Sequence, residues 1–301
     1  MVKKTILIAG GSGLVGSRLT QRLQKDGHEV RWLSRRQKEE AKTYLWNTDN
    51  EYINEDAFEG VEAIVNLAGA GIADGRWTNS RKKLLIESRT KTAALLDQYI
   101  SKLNLSPDIY INASAIGYYG DRGSELLNEE HSAGTGFLSE CCQAWEDAAH
   151  QIQGDFPKAI LRIGVVLSTK GGALEKMLLP LKMRTNTYFG DGNQYMSWIH
   201  IDDMCGIIQY LIDNPSSGTY NCVASHPQIN KALVDQVAEG MDISAIKVPA
   251  PAFALRLAMG EMADVVLEST RVANAKIRQL GYNFEFQSVE EAVRDLKNRA
   301  L

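Results

Sequence analysis

Gly10, Gly11, Ser12, Gly13, Leu14, Val15 and Gly16 follow directly on the apolar run Thr5 to Ala9. Glycines at this spacing let a backbone turn tightly and come close to a phosphate. The N–H groups at the start of the helix that follows can then hold a pyrophosphate. A second apolar run, Val30 to Leu33, ends in Ser34, Arg35 and Arg36. A carboxylate at that strand end would accept hydrogen bonds from adenosine ribose hydroxyls and repel a 2′-phosphate. A hydroxyl beside a planar guanidinium suits a phosphate dianion instead, because charge-assisted and bidentate contacts are the stronger hydrogen bonds. Gly10, Ser12, Gly13, Leu14, Val15 and Gly16 are therefore expected to hold a dinucleotide, with Ser34 and Arg35 selecting NADP(H). Solvated arginines at a strand end are the plainer alternative.

Further candidates lie at later strand ends. In Asn66-Leu67-Ala68-Gly69 small residues would let Leu67 and Ala68 approach the adenine and ribose side of the cofactor, although a tight turn reads the same way. Ser114, at the next strand end, can donate a hydrogen bond to a substrate carbonyl or hydroxyl. Tyr118 and Tyr119 are close enough in sequence to move a proton; packed rings with satisfied hydroxyls are the alternative. Arg89 is a cofactor candidate within a basic stretch that includes Arg81, Lys82, Lys83 and Lys91. Val166, at the exit of a further strand, completes the cofactor set. Glu129 and Glu130 read as a solvated loop. No second histidine stands at ligand spacing from His200, so no metal is expected.

The elements that must position these residues alternate along the chain. Strands are expected at Ile6–Ala9, Val30–Leu33, Ala63–Leu67, Ile109–Ala113, Ala159–Ile163 and Thr219–Cys222, and helices at Asn79–Leu103 and Leu138–Gln153. This alternation predicts an α/β fold, a Rossmann doubly wound parallel sheet with ligands at the carboxyl ends of its strands. The pattern loosens after Val166. Residues 167–198 carry few strand signals and 223–301 look mostly helical, which suggests a smaller substrate lobe beside a cofactor-binding domain of 1–166 and 199–222. At 301 residues with 44% apolar residues and a net charge of −4, the chain has a core and no bulk attraction to nucleic acid. No run is long enough to span a membrane. The four cysteines lack disulfide or metal spacing, as expected of a cytoplasmic protein.

Taken together, Gly10 to Gly16, Asn66 to Gly69, Ser114 to Gly120, Gly190 to Gln194 and His200 to Asp203 make the chain resemble an extended short-chain dehydrogenase/reductase, the class of nucleotide-sugar epimerases and dehydratases. Arg76-Trp77, Tyr118-Tyr119, Trp145-Glu146 and the tail from Glu261 through Arg271 to Gly281 make it similar to the atypical subgroup labelled "epimerase family protein". The resemblance implies that Asp202 and Asp203 start a helix and cap its N–H groups. It also implies a Tyr and a Lys four residues apart on the helix after Ser114. Here those places hold Leu138 and Cys142, or Phe137 and Cys141 one register earlier, and none supplies a phenol or an ammonium. Three functions stay open. The first is an NADP(H)-dependent oxidoreductase for a small carbonyl or hydroxyl compound, with Ser114 polarising the substrate oxygen and Tyr118, Tyr119 or water moving the proton. The second is a nucleotide-sugar epimerase or dehydratase, although enzymes that recycle their own nicotinamide more often use NAD. The third is a non-catalytic NADP(H) sensor, in line with a cell-division-inhibitor label on some relatives. A small-molecule substrate is the expected partner, and a homodimer is left open.

Overall fold

The computed structural model describes residues 2–300. Its centre is an eight-stranded sheet of β1 (Thr5–Ala9), β2 (Glu29–Ser34), β3 (Lys42–Asn47), β4 (Tyr52–Ile53), β5 (Ala63–Asn66), β6 (Ile109–Ala115), β7 (Lys158–Ile163) and β8 (Gly218–Cys222), in the order β8-β7-β6-β5-β1-β2-β3-β4. All neighbours run parallel except β3 and β4. Ile6, Leu7 and Ile8 are fully buried, the continuous apolar run of a strand covered on both faces. Strand order reverses between β1 and β5, so a crevice opens at their carboxyl ends. That is where open α/β sheets bind ligands.

Helices α1 (Leu14–Lys25), α2 (Asn79–Lys102) and α3 (Phe137–His150) cover the sheet. Further along come α4 (Ala173–Leu181), α5 (Ile201–Asp213), α6 (Asn230–Gly240), α7 (Ala252–Met259) and a C-terminal helix, Val289–Ala300. β3 and β4 escape the sequence reading because most of β3 is at least partly exposed and lacks an apolar run. The later part of the chain also holds more strand than its sequence suggests. Thr185–Phe189 pairs in parallel with Ile246–Ala250, and Val165–Leu167 with Trp198–His200. Ile246–Ala250 is mostly exposed and contains Pro249, so it carries no strand-like alternation.

The start of α5 differs from expectation in a way that affects the whole chain. His200, not an aspartate, is the cap: its Nδ1 accepts the Asp202 N–H at 3.0 Å. Asp202 instead receives Arg18 Nε at 2.6 Å and Nη2 at 2.9 Å, and pairs with Arg299 of the C-terminal helix. Asp203 accepts the N–H groups of Glu285 at 2.8 Å and Phe286 at 3.1 Å. Buried carboxylates need charge or several donors around them, and these two find theirs in distant segments. They tie α1 and the C-terminal segment to α5.

His200 is fully buried against Phe286, with ring centroids 3.8 Å apart. Burial pushes its pKa from 6.5 down to about 4, against the raising effect of the Asp202 and Asp295 carboxylates. Because the folded value lies below the unfolded one, the unfolded chain binds the extra proton between the two. Stability is therefore expected to fall as pH drops from about 6.5 to about 4, by on the order of 3 kcal/mol. Urea unfolding at several pH values checks this. His200→Asn, which retains a capping side chain but does not titrate, should flatten that part of the profile.

Candidate functional site

The glycine turn is built against the end of β5. Gly10 has φ +84°, and a Cβ there would lie 2.8 Å from the Leu67 carbonyl. A side chain at Gly11 would run into the Trp32 indole, which donates to Thr20 Oγ1 at 2.8 Å. Gly13 donates its N–H to Gly10 O at 3.0 Å and begins α1 with no side-chain cap. The first turn of a helix leaves N–H groups unpaired, and here Ser12 and Gly13 are exposed beside them, with Leu14 and Val15 half-buried. At the end of β2, Ser34 Oγ accepts the Arg36 N–H at 3.3 Å. Arg35 and Arg36 are exposed and join no ion pair among the described residues. A close-approach turn, an uncapped helix start and unpaired cations at a strand end fit a phosphorylated dinucleotide.

Arg89 lies beside the turn that follows β5. Its guanidinium donates to Leu85 O at 2.8 Å and Ala70 O at 3.1 Å and sits 4.8 Å from the Trp145 ring centroid. Burial lowers its pKa, with the Cys141 and Cys142 thiols acting the other way. Among the described residues no carboxylate pairs with it. Val166 is half-buried and pairs with Ile199.

A buried polar network occupies the ends of β6, β7 and β8. The register puts Ser114 opposite Arg162 and Arg162 opposite Asn221, so three polar side chains project from neighbouring strands on one face. α3 packs over them and supplies Glu146. Ser114 Oγ donates to Glu146 Oε1 at 2.6 Å, and Arg162 grips both carboxylate oxygens through Nε at 2.9 Å and Nη2 at 2.8 Å. Arg162 Nη1 also donates to the Tyr119 hydroxyl at 2.9 Å, and that hydroxyl donates to Asn221 Oδ1 at 2.7 Å. Burial alone would lower the Arg162 pKa, but Glu146 and Tyr119 more than offset it and hold the group protonated. Burial pushes Tyr119 up to about 12 despite Arg162.

The two tyrosines therefore differ. Tyr119 is fully buried and its hydroxyl is used within the protein. Tyr118 is half-buried, its ring 3.4 Å from the Arg162 guanidinium carbon, and its hydroxyl has no hydrogen-bond partner among the described residues. Leu138 and Cys142 pack against Gly117, where a Cβ would stand 3.3 Å from Leu138 Cβ and 3.7 Å from Cys142 Sγ. Burial pushes the Cys142 thiol up to about 12. Glu129 is not simply solvated: it is half-buried and accepts the Asn221 N–H at 2.8 Å. Glu146, Arg162 and Asn221 are the residues that sequence reasoning did not place in the site. The available signal was Arg162, a charge inside the otherwise apolar run Ala159 to Ile163. Among the described residues no group of three or more His, Cys, Asp or Glu could hold a metal, and no helix is long and apolar enough to cross a membrane.

Comparison with known proteins gives consistent matches. The profile of the NAD dependent epimerase/dehydratase family covers residues 6–222, and a domain of unknown function, DUF1731, covers residues 250–296. "Epimerase family protein SDR39U1 homolog, chloroplastic" of Arabidopsis thaliana is 33% identical over 96% of this chain and 86% of its own length. "Epimerase family protein Mb2239" of Mycobacterium bovis is 33% identical over 97% of each chain. Among solved structures, human epimerase family protein SDR39U1 with NADPH superposes with a TM-score of 0.89 at 28% identity, covering 98% of this chain and 99% of that one. The UDP-N-acetylglucosamine 4-epimerase of Bacillus cereus reaches 0.79 at 14% identity over 99% of each chain, a likeness of fold.

Glu146→Leu would strand Arg162 in the interior without its counter-charge. A loss of about 3–5 kcal/mol is expected, and Glu146→Leu with Arg162→Met should recover much of it. Tyr119→Phe should cost about 1 kcal/mol. Denaturant unfolding of the parent and the three variants checks all three values.

Proposed function

The chain belongs to the NAD dependent epimerase/dehydratase family, and on that footing we propose that it is an NADP(H)-dependent oxidoreductase for a small carbonyl or hydroxyl compound. The observation that carries the cofactor assignment is the uncapped start of α1 together with Ser34 and unpaired Arg35 at the end of β2. A relative of the same fold solved with NADPH supports it. Gly10, Ser12, Gly13, Leu14, Val15 and Gly16 would hold the pyrophosphate. Leu67 and Ala68 would line the adenosine side, and Val166 the nicotinamide end. Arg89, a half-buried cation without a carboxylate, would gain its counter-charge from the bound cofactor. Residues 167–198 and 223–301 would form the lobe that closes over the substrate.

When bound, the nicotinamide supplies or accepts the hydride. The chain itself must hold the substrate oxygen and move a proton. Ser114 can turn its proton from Glu146 to a substrate oxygen at little cost, because Arg162 keeps both Glu146 oxygens paired. Tyr118 has the hydroxyl left over for the proton, whereas Tyr119 is committed to Asn221 and Arg162. A non-catalytic NADP(H)-binding protein is the second reading, favoured by Leu138 and Cys142 packing where relatives of this class carry a Tyr and a Lys.

NADPH is expected to bind more tightly than NADH, and Arg35→Asp should erase most of the difference. The lost phosphate contact corresponds to about 1.5–3 kcal/mol, roughly ten- to a hundredfold in affinity. Paired calorimetric titrations check it, and equal affinities for the two cofactors in the native protein would refute the assignment. Gly13→Val keeps an allowed backbone, φ −75° and ψ 174°. It should fold yet lose the rise in melting temperature that NADPH gives the parent. For catalysis, hydride transfer from NADPH is followed across aldehydes, ketones and quinones. Ser114→Ala and Tyr118→Phe should slow it, Ser114→Ala by about 2.7–4 kcal/mol in barrier, while Leu138→Ala changes it only through packing. No turnover on any member of the panel favours the second reading.

A further inference from the structure

One face of α1 is turned away from the sheet toward the C-terminal helix, and a cavity of about 410 Å³ lies between them. Small-molecule pockets run to about 300–1,000 Å³. Leu14, Ile201 and Leu296 give this cavity an apolar lining, and Arg18, Lys170 and Arg299 converge on it from three separate parts of the chain. Asp202 holds Arg18 and Arg299 side by side, accepting from both, and Asp295 Oδ2 forms an ion pair with Arg299 Nε at 2.7 Å. Both carboxylates thus face arginines and neither reaches Lys170. Lys170, exposed on the segment after β7, joins no ion pair among the described residues. Three cations against two carboxylates leave one positive charge at the rim.

Apart from Leu14, none of the residues that line the cavity belongs to the cofactor set named above, and Ser17, Arg18 and Gln21 continue along α1 away from the glycine turn. We propose that this cavity is a second ligand site, for a small organic anion whose phosphate or carboxylate head meets Lys170 and the braced arginines while its apolar body covers Leu14, Ile201 and Leu296. A bare inorganic ion would leave the apolar lining wet, and an uncharged molecule would leave Lys170 without a partner.

Isothermal titration of phenyl phosphate into the full-length protein, with and without saturating NADPH, tests the site. Inorganic phosphate and benzyl alcohol serve as the head alone and the body alone. One phenyl phosphate per chain is expected, with Kd about 0.1–1 mM, with and without NADPH, and each half-probe about tenfold weaker or worse. Lys170→Glu reverses the charge on an exposed side chain, and Gln21→Trp fills the cavity from the outer face of α1. Each should weaken phenyl phosphate by about tenfold or more with the melting temperature unchanged. The proposal is overturned if NADPH abolishes phenyl phosphate binding, if both variants bind like the parent, or if the cofactor-free protein shows no saturable heat. The cofactor-free titration stands whether or not the protein takes NADPH, so failure here and failure of the cofactor assignment are separable.

Discussion

Arg162 and Glu146 face each other almost without solvent, and the region around the carboxyl ends of β6, β7 and β8 is arranged to make that tolerable. A buried guanidinium and carboxylate each lose hydration that their mutual attraction alone does not repay, so every remaining donor and lone pair needs a partner. Ser114 takes one place on the carboxylate, Tyr119 takes the outer nitrogen of the guanidinium, and Asn221 takes the Tyr119 proton. Four elements, β6, β7, β8 and α3, are held in one register by this requirement. The pair is a constraint on geometry before it is a source of stability. It also decides which hydroxyls are free for chemistry: Tyr119 is consumed by it and Tyr118 is not.

At the other end of the cleft the governing constraint is steric. Gly10 must turn against the β5 exit, and Gly11 must leave room for Trp32 beneath it. Gly13 is different, since its backbone is ordinary and a Cβ there would meet only the Gly10 carbonyl oxygen, at 3.3 Å. Two of these glycines are required by the fold itself, whereas at Gly13 the fold asks for a small adjustment and a strict demand for glycine would have to come from a ligand. The same motif thus mixes structural and binding requirements that a spacing pattern cannot separate.

The parallel core was legible in the sequence because buried parallel strands are short, largely apolar runs: β1 and β5 are nearly unbroken, β2 and β7 are interrupted by Arg31 and Arg162, and β6 and β8 by Asn112 and Asn221. The glycine turn was legible because its residues are consecutive. The Ser114 network was not. Its members lie on β6, α3, β7 and β8, and only the strand register brings them side by side. The roles of His200 and Asp202 were missed for a related reason. A carboxylate at a helix start reads locally as a cap, and only the fold shows Arg18 and Arg299 arriving from opposite ends of the chain. Ile246–Ala250 stayed hidden because its strand character rests on backbone pairing with Thr185–Phe189 and not on its own side chains.

Asp202 joins Arg18 of α1 to Arg299 of the C-terminal helix. A ribosome delivers α1 first, then the carboxylate that receives Arg18, and the second arginine on that carboxylate later still. Until Asp202 has emerged, the helix that begins at the glycine turn stands without its outer support, however complete the first strands are. The nascent chain therefore passes through an interval in which the parts of a nucleotide cradle exist but are not yet held in place, and the docking of α5 against α1 ends it.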